Sequence, residues 1–369
     1  MPRKLAFDRV LFVTIIVLCT IGLTMVYSSS AVIGAEQFGS PYHFLIRQAL
    51  AMLVGLGLMV VMMRANYRAL ARGPVVYTLF GVTALLLLGA LAGPAVNGTH
   101  RWLKAGPLSL QPSELAKLTL IVFLAWRLQR DLGGPEGHGA VNNVQKTLIP
   151  CMVLSGFLIF LVVLQPDLGT AISLSILTAV MLFAAGVKAR YLGALAAAGL
   201  LVLLILVPLK GYQMQRLTAF INPDDDPLGS GYQVRQSVIS VGAGGQAGRG
   251  LGEGQQKLFF LPYPYTDFIY SVIGEELGLA GTSAVAAVFL VLMWRGLRVA
   301  ARAPDLFGSY LACGITMFLV VQALVNMGVA LGMLPAKGLP LPFVSYGGSS
   351  LVTGLMASGV LLNISQYTR

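Results

Sequence analysis

The stretch VLFVTIIVLCTIGLTMVY, Val10 to Tyr27, runs for eighteen residues without a charge. As a helix it is about 27 Å long, close to the ~30 Å hydrocarbon core of a bilayer. Arg3, Lys4 and Arg9 precede it in the manner of a secretory leader. The run exceeds the usual apolar core of such leaders, about 7 to 15 residues, and more spans follow, so it reads as a retained helix. Nine further apolar runs follow: Phe44 to Met63, Val75 to Val96, Ser113 to Leu128, Thr147 to Leu164, Thr170 to Val187, Tyr191 to Val207, Phe268 to Trp294, Phe307 to Met327 and Gly347 to Asn363. The expected fold is an all-α membrane protein of ten transmembrane helices.

Composition agrees. Hydrophobic residues make up 56% of the 369 and charged residues only 11%, against about 25% charged in soluble domains. A water-soluble globule is excluded. Cys19, Cys151 and Cys313 all fall inside apolar runs and are odd in number, which favours packing over a disulfide framework. His43, His100 and His138 share no ligand spacing, so no metal centre is expected on histidine.

Basic loops resist translocation, so the distribution of Lys and Arg sets the orientation. With the N-terminus inside, fifteen basic residues fall in cytoplasmic connections and ends, among them Arg64, Arg68, Arg72, Arg127, Arg130, Arg295, Arg298 and Arg302. The short outer loops hold only Arg47, Arg101, Lys104 and Lys337. Both termini are therefore expected in the cytoplasm. The net charge of +11 is partly this bias and does not point to nucleic acid.

One outer connection, residues 208–267 between the seventh and eighth spans, is long and glycine-rich, which in a compact protein points to function. Its Arg216, Arg235, Arg249 and Lys257, with Arg101, Lys104 and Lys337, make the outer mouth cationic and suited to an anionic substrate or lipid headgroup; scattered solvated charge is the bland alternative. Seven glycines between Gly242 and Gly254 allow close backbone approach and would offer amides to phosphate, or form a hinge or lid. A nucleotide loop is disfavoured, because no Gly-Lys-Ser/Thr follows a strand. Asp224-Asp225-Asp226 between two prolines reads as a solvated turn rather than a metal site.

Charges inside or beside the spans are the sharper pointers, since each costs about 2.5 to 3.5 kcal/mol to insert. Ser113 can cap a helix starting near Pro112, and Glu114 and Lys117 lie on one face, either as a structural pair or as the wall of an outward-open cavity. Asp167, in the turn Gln165-Pro166-Asp167-Leu168-Gly169, either caps the next helix or serves the site. Asp267 lies among aromatics at the outer end of the eighth span, followed by Glu275 and Glu276, and is also a natural N-cap. The run Leu334 to Pro342 carries three prolines and cannot be regular helix; at membrane depth it must rest on protein or a cavity. Ser345 follows, in the small-residue stretch Ser345 to Ser350.

These motifs in order, Met25 to Ser30, Arg101-Trp102 with Gln111 to Lys117, Gln165 to Thr170, Gly231-Tyr232-Gln233 with the glycines, Tyr265 to Gly278 and Pro335 to Leu351, resemble the SEDS family (shape, elongation, division and sporulation) of peptidoglycan glycosyltransferases over essentially the whole chain. Gly39 to Leu45, Lys337 to Pro342 and Leu361 to Ser365 look more like the division branch, FtsW, than the elongation branch, RodA. The resemblance implies a single domain over 1–369 in the bacterial cytoplasmic membrane, polymerising lipid II at its outer face beside a class B penicillin-binding transpeptidase and other division proteins. In the family an essential aspartate follows a His-Thr pair; Asp267 occupies that place, with Tyr265 where members usually carry His.

The chemistry asks for a base to accept a sugar proton and for cations to meet a leaving diphosphate. Asp267 is the expected catalytic base. Arg101, Lys104, Arg235, Arg249, Lys337 and Ser345 are expected around the substrate, with Glu114, Lys117 and Asp167 lining the cavity and ordering its turn. A divalent ion, Mg or Mn, would suit the diphosphate, although the sequence holds no evident cage. Two other classes fit parts of the pattern. A lipid II transporter would explain the intramembrane charges, but no internal repeat is evident; a noncatalytic scaffold would need no carboxylate at the mouth.

Overall fold

The computed structural model describes residues 6–94, 99–105, 108–133, 141–209, 214, 218, 220, 230–258, 260–336 and 338–368. Its helices are α1 (Arg9–Phe38), α2 (His43–Arg64), α3 (Gly73–Ala92), α4 (Pro112–Leu132), α5 (Ile149–Leu164), α6 (Leu168–Ala184), α7 (Ala189–Leu209), α8 (Ser230–Gly244), α9 (Ile269–Ala301), α10 (Leu306–Ala330) and α11 (Gly348–Ser365). Each apolar run of the sequence falls on one of these. A short antiparallel hairpin, β1 (Leu103–Ala105) and β2 (Leu108–Leu110), is the one addition to an otherwise helical chain among the described residues.

Among the described residues, seven segments are long and apolar enough to cross a bilayer: α1, α2, α3, the span Val144–Leu164 that includes α5, α9, α10 and α11. This is a multi-pass membrane protein. The periphery carries the apolar side chains that a soluble protein would hide, such as Leu53, Leu85, Phe160, Phe183, Leu290 and Leu324. The interior is where polar groups collect. From Pro112 to Trp126, α4 is buried at every residue but Leu115, and it stands as a central pillar against α3 and α10. Its charged pair therefore faces helices instead of lipid.

In lipid, helices associate through close packing rather than through the hydrophobic effect. The contact of α11 with α2 depends on Gly359, where a Cβ would sit 2.5 Å from the Met59 carbonyl. At the end of the bundle that carries the N-terminus, Asp8 caps α1 through Leu11 N and receives the Arg295 guanidinium from α9. Asp305 caps α10 at Gly308 N, 2.7 Å away, and takes the Tyr67 hydroxyl at 2.6 Å and Arg68 Nε at 3.0 Å.

The expected eighth span differs in one respect. α9 is two helices joined at Gly278, whose backbone lies at φ +66° and ψ −162°. The break frees the carbonyls of the first half and the amides of the second, groups that must find partners away from water. The glycine segment supplies both. Arg249 N and Gly250 N donate to the carbonyls of Glu275 and Glu276, while Leu279 N and Ala280 N donate to the carbonyls of Gly245 and Gln246. The segment is thus a cap on a broken helix, and it begins on α8, a helix inside the connection of residues 208–267.

A side chain at Gly278 would be doubly penalised: its φ is left-handed, and the added Cβ would lie 2.4 Å from Gly248 N. Gly278→Ala is expected to cost at least about 3 kcal/mol, from strain plus overpacking. A fall in Tm of the detergent-purified protein checks this.

Candidate active site

The prolines of residues 334–342 force an irregular strap between α10 and α11, and its backbone needs partners. Buried amide side chains provide them. Gln322 Nε2 of α10 donates to Pro340 O at 2.9 Å, and Asn326 Nδ2, one turn later, donates to Leu339 O at 2.8 Å. From α2, Gln48 Nε2 donates to Ser345 O, and Gln48 Oε1 accepts from Gly347 N.

The strap in turn fixes the segment before α9. Tyr265 O accepts from Tyr346 N at 2.8 Å, Thr266 O from Ser345 Oγ at 2.6 Å, and Asp267 O from Asn326 Nδ2 at 2.8 Å. Three successive carbonyls are held by three different groups. Phe268, not Asp267, occupies the cap position of α9. The Asp267 carboxylate lies against the strap, since a Cβ on Gly338 would fall 3.4 Å from Oδ2. Gly338 has φ +62°, so this close approach uses a backbone that favours glycine. Asp267 is partly exposed. Lys337 lies outside the described residues, as do Arg216 and Asp224 to Asp226.

Glu114 and Lys117 form a pair at 2.7 Å, and Lys117 Nζ also donates to Gln322 Oε1 at 2.7 Å. Each residue is only 1% exposed. They form no open charged wall here; they are a buried pair tied to the strap through Gln322. Ser113 does not cap: Gln111 holds that position and Ser113 lies within the first turn, because Pro112 already starts the helix.

Asp167 caps α6, accepting from Thr170 N at 3.1 Å and Thr170 Oγ1 at 2.9 Å, and it also takes Gln111 Nε2. Arg101 Nη1 stands 4.0 Å away, with Nε on Thr99 Oγ1. Lys104 is on β1 and Arg235 is exposed on α8. The hairpin is anchored to α11 by Ser349, whose Oγ donates to Ser109 O and accepts from Gln111 N.

Glu275 and Glu276 are fully buried and committed to the glycine segment. Glu275 accepts from Gln255 N and Gln256 N and meets Arg249 at 3.5 Å. Glu276 takes Gly252 N, Ser28 Oγ at 2.7 Å and Lys257 Nζ at 2.6 Å. Of the glycine amides expected to meet phosphate, Gly252 N meets the Glu276 carboxylate, while Gly245, Gly248 and Gly250 N meet backbone carbonyls. Arg249 shares its charge with Glu275, although it keeps 39% side-chain exposure.

Tyr265 packs against Phe44 and Tyr346, with ring centroids 4.6 and 5.7 Å away. Burial first, then the neighbouring Tyr346 and Tyr263, raises the Tyr265 phenol above its ordinary range, so it stays neutral near pH 7.

Residues 8–369 match the model of a family described as cell cycle protein, FtsW/RodA/SpoVE. The chain belongs to this family. A protein of Geobacter metallireducens named probable peptidoglycan glycosyltransferase FtsW is 44% identical over 361 residues, covering 97% of this chain and 94% of the relative. Stage V sporulation protein E of Bacillus subtilis is 40% identical over 375 residues, covering 100% and 99%. The fold superposes on a chain of a peptidoglycan synthase complex solved for its coordination of polymerization and crosslinking, with TM-score 0.79, 32% identity and 98% of both chains covered. The crystal structure of the rod shape determining protein RodA of Thermus thermophilus gives TM-score 0.71 at 29% identity, covering 98% and 97%.

Gln48, Gln322 and Asn326 escaped the sequence reading. Their signal was present: uncharged polar residues inside apolar runs, with Gln322 and Asn326 spaced i, i+4 on one face. A divalent ion finds poor support in the donors. Among the described residues no three His, Cys, Asp or Glu cluster as ligands, and the carboxylates of Asp167, Glu275 and Glu276 are engaged by amides and cations.

Two outcomes follow from this geometry. Glu276→Ala strands the Lys257 ammonium, 6% exposed, and is expected to cost about 3 to 5 kcal/mol; adding Lys257→Met should recover part of it in thermal melts. Tyr265→Phe keeps the ring packing and removes only a neutral hydroxyl, so glycan synthesis should stay within about twofold of wild type in a gel assay of polymer.

Proposed function

We propose that this chain is a peptidoglycan glycosyltransferase that polymerises lipid II into glycan strands for septal wall synthesis, with Asp267 as general base. It spans the bacterial cytoplasmic membrane ten times with both ends inside, and the Asp267 end of α9 faces outward, as the distribution of basic residues supports. Residues 208–267 form its outer connection. The observation that carries the assignment of the base is a contrast among carboxylates. Glu114, Asp167, Glu275 and Glu276 are buried, whereas Asp267 is partly exposed on a backbone pinned at three successive carbonyls.

An acceptor sugar hydroxyl attacks the donor's anomeric carbon. The new carbon–oxygen bond forms as the bond to the diphosphate breaks, the electron pair leaves with the lipid diphosphate, and the hydroxyl proton passes to the Asp267 carboxylate. Developing negative charge on the leaving group calls for fixed cations in a site of low dielectric. Arg101, Lys104, Arg235 and Lys337 are the candidates, with Arg249 weakened by Glu275. Ser345 positions Thr266 beside the base. Glu114 and Lys117 act through Gln322 on the strap, and Asp167 orders the turn that Arg101 approaches.

The names of the relatives and of the superposed complex support two further assignments: a division role, and a class B penicillin-binding transpeptidase as partner, with other division proteins around it. The elongation role of RodA is the neighbouring alternative within the family.

The test is polymer formation from purified lipid II by the full chain with its transpeptidase. Asp267→Asn should lower the rate at least about 100-fold with the thermal melt unchanged. Polymer at the wild-type rate from this variant would remove Asp267 as base, and lipid II translocation without polymer by the wild-type chain would favour the transporter class.

A further inference from the structure

We propose that Asn326 is a positioning residue for Asp267, a two-pronged clamp that locks the base to the strap across the site. The inference rests on the reading of Asp267 as base. Asn326 sits on α10, 1% exposed, and its Nδ2 group spends both hydrogens: one on Asp267 O and one on Leu339 O, each at 2.8 Å. The orientation of the amide is settled by its neighbours. Turned over, Oδ1 would face two carbonyl oxygens, an arrangement of like partial charges with no proton between them.

The two carbonyls belong to segments about seventy residues apart in sequence that meet only in the fold. One belongs to the base itself. The other belongs to Leu339, the residue after Gly338, which faces the Asp267 carboxylate. A single side chain thus sets the distance between the base and the strap that borders it. One turn earlier on the same face, Gln322 holds the next strap carbonyl, Pro340 O, and joins it to Lys117 and Glu114. This places the clamp at the end of a continuous buried polar row from α4 to the site.

Ser345 and Tyr346 hold Thr266 O and Tyr265 O independently of Asn326. Removing the clamp therefore leaves the segment tethered at residues 265 and 266 while breaking the bond to the main chain of the residue that must be placed. A displacement of about 1 Å in a reacting group is enough to cost on the order of 100-fold in rate. The effect belongs in kcat, because the clamp is buried and touches no substrate.

The experiment compares wild type, Asn326→Asp, Asn326→Ser and Asp267→Asn as full-length proteins with the transpeptidase present, using lipid II as substrate. Asn326→Asp keeps the shape but presents oxygen to both carbonyls; Asn326→Ser retains one hydrogen for two acceptors. The expected result is a kcat loss of about 10- to 100-fold for Asn326→Asp and a smaller loss for Asn326→Ser, with KM within about twofold. The acid limb of the Asn326→Asp pH–rate profile should move to higher pH, because the new carboxylate disfavours the charged form of the base. Thermal melts should stay within a few degrees of wild type. Unchanged kcat and acid limb in both Asn326 variants, with Asp267→Asn inactive, would overturn the clamp and leave the base in place. Unfolding of both variants would make Asn326 purely architectural and overturn it as well. Full activity of Asp267→Asn would overturn the base, and the clamp with it.

Discussion

A run of backbone that cannot be helical, inside a bundle that must exclude water, has to have its carbonyls met by side chains. That constraint organises the site end of this protein. The prolines of the strap remove donors and break the helix, and a bilayer supplies no replacement. Gln48, Gln322, Asn326 and Ser345 make up the deficit. Each is buried, so each would be costly if unpaired, at about 1 to 3 kcal/mol for a lost partner. Their satisfaction leaves the strap with little freedom. Rigidity at the site is thus a by-product of polar bookkeeping in a low-dielectric interior.

The same constraint recurs at the break in α9. A helix that stops at Gly278 and restarts exposes amides and carbonyls at both broken ends, and the glycine segment returns to cap them. Carboxylates then stabilise the cap, with Glu275 and Glu276 gathering loop amides and the charges of Arg249 and Lys257. Glycine serves here because its backbone must touch another backbone: at Gly248 an added Cβ would lie 2.2 Å from the Glu276 carbonyl. The segment that looks loose in composition is among the most constrained in the fold.

How much of this was readable beforehand divides along physical lines. Apolar runs placed every helix but α8, because the bilayer imposes a length and a polarity that composition records directly. Asp267 and the strap also stood out, since a charge beside aromatics and three close prolines are rare at such positions. The partners did not. Whether Glu275 meets a loop amide or a ligand depends on contacts across 20 to 26 residues of chain, and Asn326 gains its meaning only when Leu339 and Asp267 converge on it. Local pattern carries no record of that convergence. The break at Gly278 was hidden for the same reason: a glycine within an apolar run is compatible with continuous helix until the cap that replaces its hydrogen bonds is known.

The difference in exposure among the carboxylates bears on how such a site can work in a membrane. A carboxylate that serves as base must remain ionised next to lipid, yet reach a substrate. Burying it with a cation would hold it ionised but occupy its oxygens, as happens to Glu276 with Lys257 and Ser28. Leaving it partly exposed keeps it solvated and reachable at the cost of mobility. Asp267 is partly exposed, and the bonds to its own and the two preceding carbonyls restrain its main chain. Partial exposure and a main chain bonded at three successive carbonyls together distinguish Asp267 from the fully buried Glu275 and Glu276.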